Sequence, residues 1–341
     1  MAQIKEYLKR PAHIKDDGHA HVKFDEKVDP NPYLKKYGYC VVENVMTKEF
    51  CEKIVNDMWS WLENLGTGIK KDNPASWNND NWPYNLRNGM LQHTLGQEEF
   101  MWLVREHPNI LKLFEKIFDN KNLLVSLDGA SINRPISSGY TTSSDESWIH
   151  TDQDIAPVTT DQIYNSEYYS VQGIANFIDA SDDDGSLFVA ESSHLLHTEL
   201  FKKNGKQPKK NWYILKKDDL DFLIQNKIKF VKLNAPQGSF ILFDSRCFHS
   251  GYPSYGEFNT TWRFVIYISL SPASRAKDSD LEIKKRAIKE GLTTNHWSSS
   301  NSKLFELPST EHQKSYMTRK ENNPDVSKWS ISRKKLAGLI K

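Results

Sequence analysis

Beyond residue 123, short runs rich in Val, Ile and Phe are separated by strong turn formers, and this limits the fold more than any other feature. The runs are 123–133, 170–178, 186–189, 229–233, 239–243 and 262–270. Ser137-Ser138-Gly139, Asp182-Asp183-Asp184-Gly185 and Pro236-Gln237-Gly238 lie between them, and such clusters break strands. Helical patterning precedes this region instead of alternating with it. Thr47 is placed as an N-cap, and Phe50, Ile54, Met58, Trp61, Leu62 and Leu65 recur at helical spacing up to Gly66. A second helical stretch, 97–118, is interrupted at Pro108. Helices first and strands afterwards predict an α+β, mainly β chain, with helices on one face of a closed or sandwiched β core. A doubly wound parallel sheet would need regular alternation.

The two ends read differently from the middle. Residues 1–32 are charged, carry Pro11, Pro30 and Pro32, and predict an arm laid over the fold. Order is expected from Tyr33, with Gly38-Tyr39-Cys40-Val41-Val42 as a short β-rich run, and the main domain spans 33–275. Residues 276–341 are basic and predict a helical C-terminal extension. Lys+Arg 45 against Asp+Glu 44 leaves a net charge of +1, so no global field draws in nucleic acid or an anionic membrane. No run reaches the ~20 apolar residues that span a bilayer. The first ten residues lack a hydrophobic signal core. Cys40, Cys51 and Cys247 are too few and too far apart for a disulfide framework, which suits a reducing compartment. The expectation is a cytoplasmic protein with a small-molecule partner and no membrane or nucleic-acid partner.

The fragment that carries chemistry is Trp148-Ile149-His150-Thr151-Asp152. Residues two apart on a strand share a face, so His150 and Asp152 present an imidazole and a carboxylate side by side. A third ligand from a distant strand would give two histidines and one carboxylate, the arrangement that non-haem Fe(II) oxygenases use. An isolated His-x-Asp pair is frequent by chance. Downstream, 238–244 reads as a strand running into Ser245-Arg246-Cys247-Phe248-His249, and the next strand opens with Trp262-Arg263. Alternation puts Arg263, Val265 and Tyr267 on one face, so a permanent cation starts a face that is otherwise apolar. A guanidinium there needs an anion, either a bound dicarboxylate or a remote Asp or Glu.

In this combination the chain resembles the phytanoyl-CoA dioxygenase-type Fe(II)/2-oxoglutarate-dependent oxygenases, from about Tyr33 to about Pro272. The stretch from Gly38 to Val45, the segment from Phe177 through Gly185 to Val189, and the His150, Asp152, His249 and Arg263 set carry the likeness. The resemblance implies a double-stranded β-helix, a cupin-like jelly roll, with N-terminal helices on the major sheet. It implies that His150, Asp152 and His249 are the catalytic metal ligands for Fe(II). Arg263 would anchor the distal carboxylate of 2-oxoglutarate, and Asn133 could donate to it. The implied reaction consumes O2 and 2-oxoglutarate, releases succinate and CO2, and hydroxylates an unactivated C–H bond of a small organic substrate. Glu191-Ser192-Ser193-His194 departs from the family's usual Pro-Gly-Ser-His, which bears on loop shape.

His194 and His197 also follow a strand and a turn, but neither is followed one strand later by an arginine opening an apolar face. Trp148, Tyr168, Tyr169 and Gln172 are candidate substrate contacts near the pocket mouth. Lys202, Lys203, Lys206, Lys209 and Lys210 read as a solvated loop, and Arg333-Lys334-Lys335 as a solvated helix face. Two other functions fit the same residues. One is a hydroxylase of a peptide or protein side chain, with the lysine-rich insertion or the C-terminal extension walling a groove. The other is a catalytically silent jelly-roll binding module, against which the intact ligand set argues.

Overall fold

The computed structural model describes residues 11–86, 89–140, 148–154, 163–166, 169–203, 211–255, 259–305 and 324–340. Strands β1 (Ile14–Lys15) and β2 (His21–Lys23) lead into helix α1 (Asn31–Tyr37), β3 (Tyr39–Glu43) and the long α2 (Lys48–Asn64). β4 (Met90–Leu91), α3 (Glu99–Arg105) and α4 (Pro108–Phe118) follow. Next come β5 (Leu123–Val125), β6 (Ala130–Asn133), β7 (His150–Thr151), β8 (Val171–Asn176) and β9 (Ser186–Ala190). After α5 (His197–Lys203), β10 (Tyr213–Ile214) and α6 (Lys217–Gln225), the chain forms β11 (Phe230–Lys232), β12 (Phe240–Asp244) and β13 (His249–Tyr252). β14 (Arg263–Tyr267), β15 (Leu270–Pro272), α7 (Asp278–Lys289), β16 (Thr293–Thr294), β17 (Leu304–Phe305) and α8 (Ile331–Leu336) complete the order.

Two sheets dominate this mixed α/β architecture. The seven-stranded sheet runs β2-β3-β12-β8-β14-β6-β4, and the six-stranded sheet runs β1-β11-β9-β13-β7-β10. From β6 to β9, and again from β11 to β14, each strand lies in the opposite sheet to the one before it. Period-two alternation sorts the side chains. Val41, Ile174, Ile241, Phe243 and Val265 of the larger sheet meet Leu187, Val189 and Val231 of the smaller one. On the outer face, Val42, Val171, Ala175, Phe240, Leu242, Phe264 and Ile266 pack with Ile54, Met58, Leu62, Leu113 and Phe114 of α2 and α4. Each large apolar side chain buried this way contributes about 1.5–3 kcal/mol, so the helices are held to the sheet by their apolar faces.

Local signals set the helix ends. The Thr47 side chain accepts a hydrogen bond from the Phe50 amide at 3.2 Å, capping α2, and Gly66 takes φ 70° just beyond it. Pro108 opens α4 in its first turn, where its missing N–H costs nothing. The runs at 123–133 and 262–270 each divide into two strands. Ser126 and Ser269 mark both breaks: the Ser126 amide donates to the Ser269 carbonyl at 2.8 Å, and the Ser269 amide to the Ser126 hydroxyl at 3.0 Å.

The ends are more integrated than their composition suggests. β1 adds in parallel to β11 and β2 to β3, so the arm supplies an edge strand to each sheet. His21 sits between Asp16 at 2.9 Å and Glu43 at 3.0 Å. Residues 1–10 lie outside the described residues. The C-terminal segment holds α7 and α8 but also the β16–β17 hairpin, and Ala287, Ile288, Leu292, Leu336 and Ala337 join the outer core. Arg333 corrects the expectation of a solvated basic face. Its guanidinium pairs with Glu99 at 2.7 Å and Glu106 at 2.6 Å and lies over Trp102 and Trp329. Lys202 and Lys203 are exposed at the end of α5, while Lys206, Lys209 and Lys210 lie outside the described residues. The three cysteines are free and buried, and among the described residues no helix is long and apolar enough to cross a membrane.

Candidate active site

Antiparallel pairing of β7 with β13 places His150 directly opposite His249, with ring centroids 4.4 Å apart. Each Nδ1 lies 3.0 Å from the carbonyl oxygen two residues upstream, Trp148 for His150 and Cys247 for His249. A carbonyl can only accept, so each Nδ1 carries a proton and each Nε2 is the ring nitrogen left to face Asp152. Asp152 follows β7, and its backbone amide donates to the Ser245 carbonyl at 3.0 Å. The intervening Thr151 turns away and donates its hydroxyl to the same carbonyl at 3.0 Å. Asp152 Oδ2 lies 3.4 Å from both Nε2 atoms and accepts a 2.9 Å hydrogen bond from Gln172 Nε2.

The three ligand atoms lie within 4.8 Å of one another, and all three residues are buried. Burial works to raise the Asp152 pKa, but His150, His296 and His249 outweigh it and hold the carboxyl well below its usual range. Burial, reinforced by His150, lowers His249, so its imidazole is neutral near pH 7. Two imidazoles with Nδ1 already committed to the backbone and one ionised carboxylate form a donor set that fits Fe(II), which takes nitrogen and oxygen ligands of this kind. Trp148 stacks on His150 at 4.8 Å and 15°, and Phe243 packs on His249 at 4.5 Å.

A cavity of about 520 Å³ opens on this cluster and is lined by Asn133, Trp148, Gln172 and Arg263 as well as the triad. Arg263 and Asn133 are register partners of β14 and β6, with a long 3.5 Å contact from the guanidinium to Asn133 Oδ1. Among the described residues no carboxylate forms an ion pair with Arg263. The alternation expected at β14 is present: Val265 lies between the sheets, whereas Phe264 and Ile266 face the helices.

Tyr169 requires correction as a substrate contact. It lies in the outer core against Tyr164 and Phe118, with ring centroids 4.9 and 5.9 Å away. Alternation explains this. Tyr169 and Val171 share the helix-facing side, while Gln172 and Ile174 face the cavity. Tyr168 lies outside the described residues. His194 sits in a turn, buried, with Nε2 3.1 Å from the Lys35 carbonyl oxygen and Nδ1 3.7 Å from Cys247 Sγ. His197 is buried with Nε2 2.9 Å from the Gln153 carbonyl oxygen. Neither reaches the triad. Asp128, Gln92, Arg134, Trp212 and His296 line the cavity without having been singled out from sequence, and so do Lys303, Leu304 and Phe305.

A family model described as phytanoyl-CoA dioxygenase (PhyH) matches residues 34–258. The Ava biosynthesis cluster protein O of Aspergillus versicolor is 23% identical over 269 residues, covering 76% of this chain and 82% of that protein. The crystal structure of the hypothetical protein JW0805 from Escherichia coli at high pH superposes with a TM-score of 0.60 at 12% identity, covering 95% of this chain and 85% of that one. The GlcNAc-inducible gene 2 protein of Candida albicans superposes with a TM-score of 0.57 at 16% identity, covering 94% and 79%. At such identities the two structures speak for a shared fold.

Proposed function

The chain belongs to the phytanoyl-CoA dioxygenase family of Fe(II)/2-oxoglutarate-dependent oxygenases, and we propose that it hydroxylates an unactivated C–H bond of a small organic substrate. In this reading His150, Asp152 and His249 hold the iron. The observation that carries it is the pair of Nδ1–H donors committed to backbone carbonyls, which turns both Nε2 atoms toward the Asp152 carboxylate. The two sheets are read as a double-stranded β-helix, because β6-β14-β8-β12 and β7-β13-β9-β11 alternate along the chain as that fold requires.

When bound, iron and 2-oxoglutarate supply the oxidising chemistry: O2 is consumed, succinate and CO2 leave, and one oxygen atom goes to the substrate. The chain's own residues supply positions and charge. His150 and His249 offer Nε2, with each ring held in place through its Nδ1–H. Asp152 brings a balancing negative charge, and Gln172 fixes the oxygen that faces the imidazoles. Arg263, with Asn133 opposite, holds the distal carboxylate of 2-oxoglutarate, which supplies the anion this guanidinium lacks within the described chain. Trp148 and Phe243 flank the two rings and exclude water. A cavity of about 520 Å³, walled in part by β17, favours a small substrate over a peptide groove.

The test is turnover of a metabolite extract with Fe(II), 2-oxoglutarate, ascorbate and labelled oxygen. Label is expected in succinate, together with a product heavier by one oxygen atom. Stoichiometric iron without succinate would favour the silent binding module, and succinate with a desaturated or rearranged product would replace hydroxylation by another oxidation.

A further inference from the structure

Asp128 lies in the break between β5 and β6, 7% exposed and lining the cavity. Its Oδ1 accepts the Gly129 amide at 2.7 Å and Gln92 Nε2 at 2.9 Å. A turned-over Gln92 amide would set its oxygen against the Asp128 carboxylate, while as placed its backbone carbonyl and Oε1 face the Thr293 hydroxyl at 2.6 and 3.1 Å. The approach is tight: a Cβ on Gly129 would lie 2.0 Å from the Leu91 carbonyl oxygen and 2.7 Å from Gln92 Oε1. This built network aims one carboxyl oxygen at protein donors. Among the described residues nothing donates to Oδ2.

Among the described residues the carboxyl also has no hydrogen-bonded cation. The fully buried Arg105 gives Nη1 to the Gly96 carbonyl at 2.7 Å and Nη2 to the Asp128 backbone carbonyl at 2.9 Å, not to the carboxylate. Burial pushes the Asp128 carboxyl up to about 6, and Gln92, Gly129 and Arg105 offset that only in part. His296 brings another polar group to the same cavity: its Nε2 is buried and, among the described residues, has no hydrogen-bond partner. Natural folds rarely leave a buried ring nitrogen unpaired unless something else satisfies it.

Placement assigns the ligand. Arg263 lies opposite Asn133, five positions after Asp128. Five residues of chain reach at most about 18 Å, so the two positions can lie well apart on the same cavity. The 2-oxoglutarate anchor faces the C-terminal end of β6 while Asp128 precedes its start, and much of the remaining lining is apolar, including Met90, Leu187, Trp212 and Phe305.

We propose that Asp128 anchors the substrate by accepting its ammonium group, so that the enzyme acts on an amine with an apolar body. The proposal rests on the oxygenase reading for calling that ligand the substrate; the binding itself needs no turnover. The test uses protein with Mn(II) and 2-oxoglutarate added, titrated calorimetrically with phenethylamine, phenethyl alcohol and phenylacetate, which differ only at the head group. The amine is expected to bind about tenfold or more tightly than the alcohol, with phenylacetate weakest. Asp128→Asn keeps the Oδ1 acceptor and turns the cavity-facing oxygen into a donor. It is expected to abolish the amine's advantage while leaving 2-oxoglutarate affinity and melting temperature unchanged. Equal binding of amine and alcohol, no binding of either, or an undiminished preference in Asp128→Asn would each overturn the proposal. The wild-type comparison decides alone if the variant fails to fold. Because no outcome depends on product formation, loss of the hydroxylase reading and loss of this one are separately visible.

Discussion

Replacing Arg263 by Ala separates a cosubstrate anchor from a structural ion pair. Its guanidinium is half-buried at the start of β14, its contact to Asn133 is 3.5 Å long, and no described carboxylate pairs with it. Little in the fold is lost when it goes. A change of this kind outside the core stays within about 0.5 kcal/mol, or roughly 1–2 °C in melting temperature for a chain this size. Binding is different. Removing one partner of a desolvated charge pair costs about 2–5 kcal/mol, which at 1.4 kcal/mol per decade is about 30-fold to a few thousandfold. The lower half of that range applies, because the group is only partly shielded from solvent. The assay is the 2-oxoglutarate dependence of succinate formation, run beside iron content and a thermal melt. Arg263→Ala should raise the half-saturating 2-oxoglutarate concentration by about 30-fold to several hundredfold, with iron content and melting temperature held. Arg263→Lys should recover only part of the loss, since an ammonium cannot form the bidentate fork. An unchanged 2-oxoglutarate titration, or a large drop in melting temperature, would refute the anchor role.

Gln172→Leu removes the hydrogen bond to Asp152 Oδ2 while the backbone tie to Ser245 remains, so iron affinity should fall about 10- to 100-fold in equilibrium dialysis. Gly173→Ala would put a Cβ 2.5 Å from the Ile268 carbonyl oxygen and 2.3 Å from Phe240 Cζ. It should destabilise the fold by about 1–3 kcal/mol or more in urea titration, and an unchanged midpoint would contradict the close approach of β8. At His21, burial pulls the pKa down but Asp16 and Glu43 outweigh it and raise it above 6.5, while Asp16 is lowered below 3.8 despite its burial. His21 therefore contributes fully below its ordinary value and fades as pH rises through its folded value, whereas Asp16 fades as pH falls. The melting-temperature gap between wild type and His21→Gln should be widest near pH 6 and close toward alkaline pH, and a gap that widens there would reverse this sign.

Much of this site is legible because its residues lie on strands that announce their parity. The spacing of His150 and Asp152 and the alternation at Arg263, Val265 and Tyr267 follow from the two-residue repeat, and the structure keeps both. Thr47, Gly66 and Pro108 act within their own turns and are equally readable. The same parity argument, carried on from Gln172, places Tyr169 on the helix side; adjacency to a motif is a poor guide to facing. Asp128 and Gln92 meet across 36 positions, and His296 reaches the cavity from beyond α7. No local pattern marks such residues, because long-range pairing creates their juxtaposition. The β16–β17 hairpin is illegible for a related reason: two-residue strands are too short to show a period.

The central claim is that His150, Asp152 and His249 hold iron, and anaerobic equilibrium dialysis with Fe(II) on single-histidine variants tests it most directly. Wild type and His194→Ala should bind iron stoichiometrically, with His194→Ala losing stability because a buried ring is removed. His150→Ala and His249→Ala should retain no iron under the same conditions while keeping the wild-type circular dichroism spectrum. Full iron occupancy in folded His249→Ala would contradict the account, because the third ligand would then have to come from elsewhere in the chain.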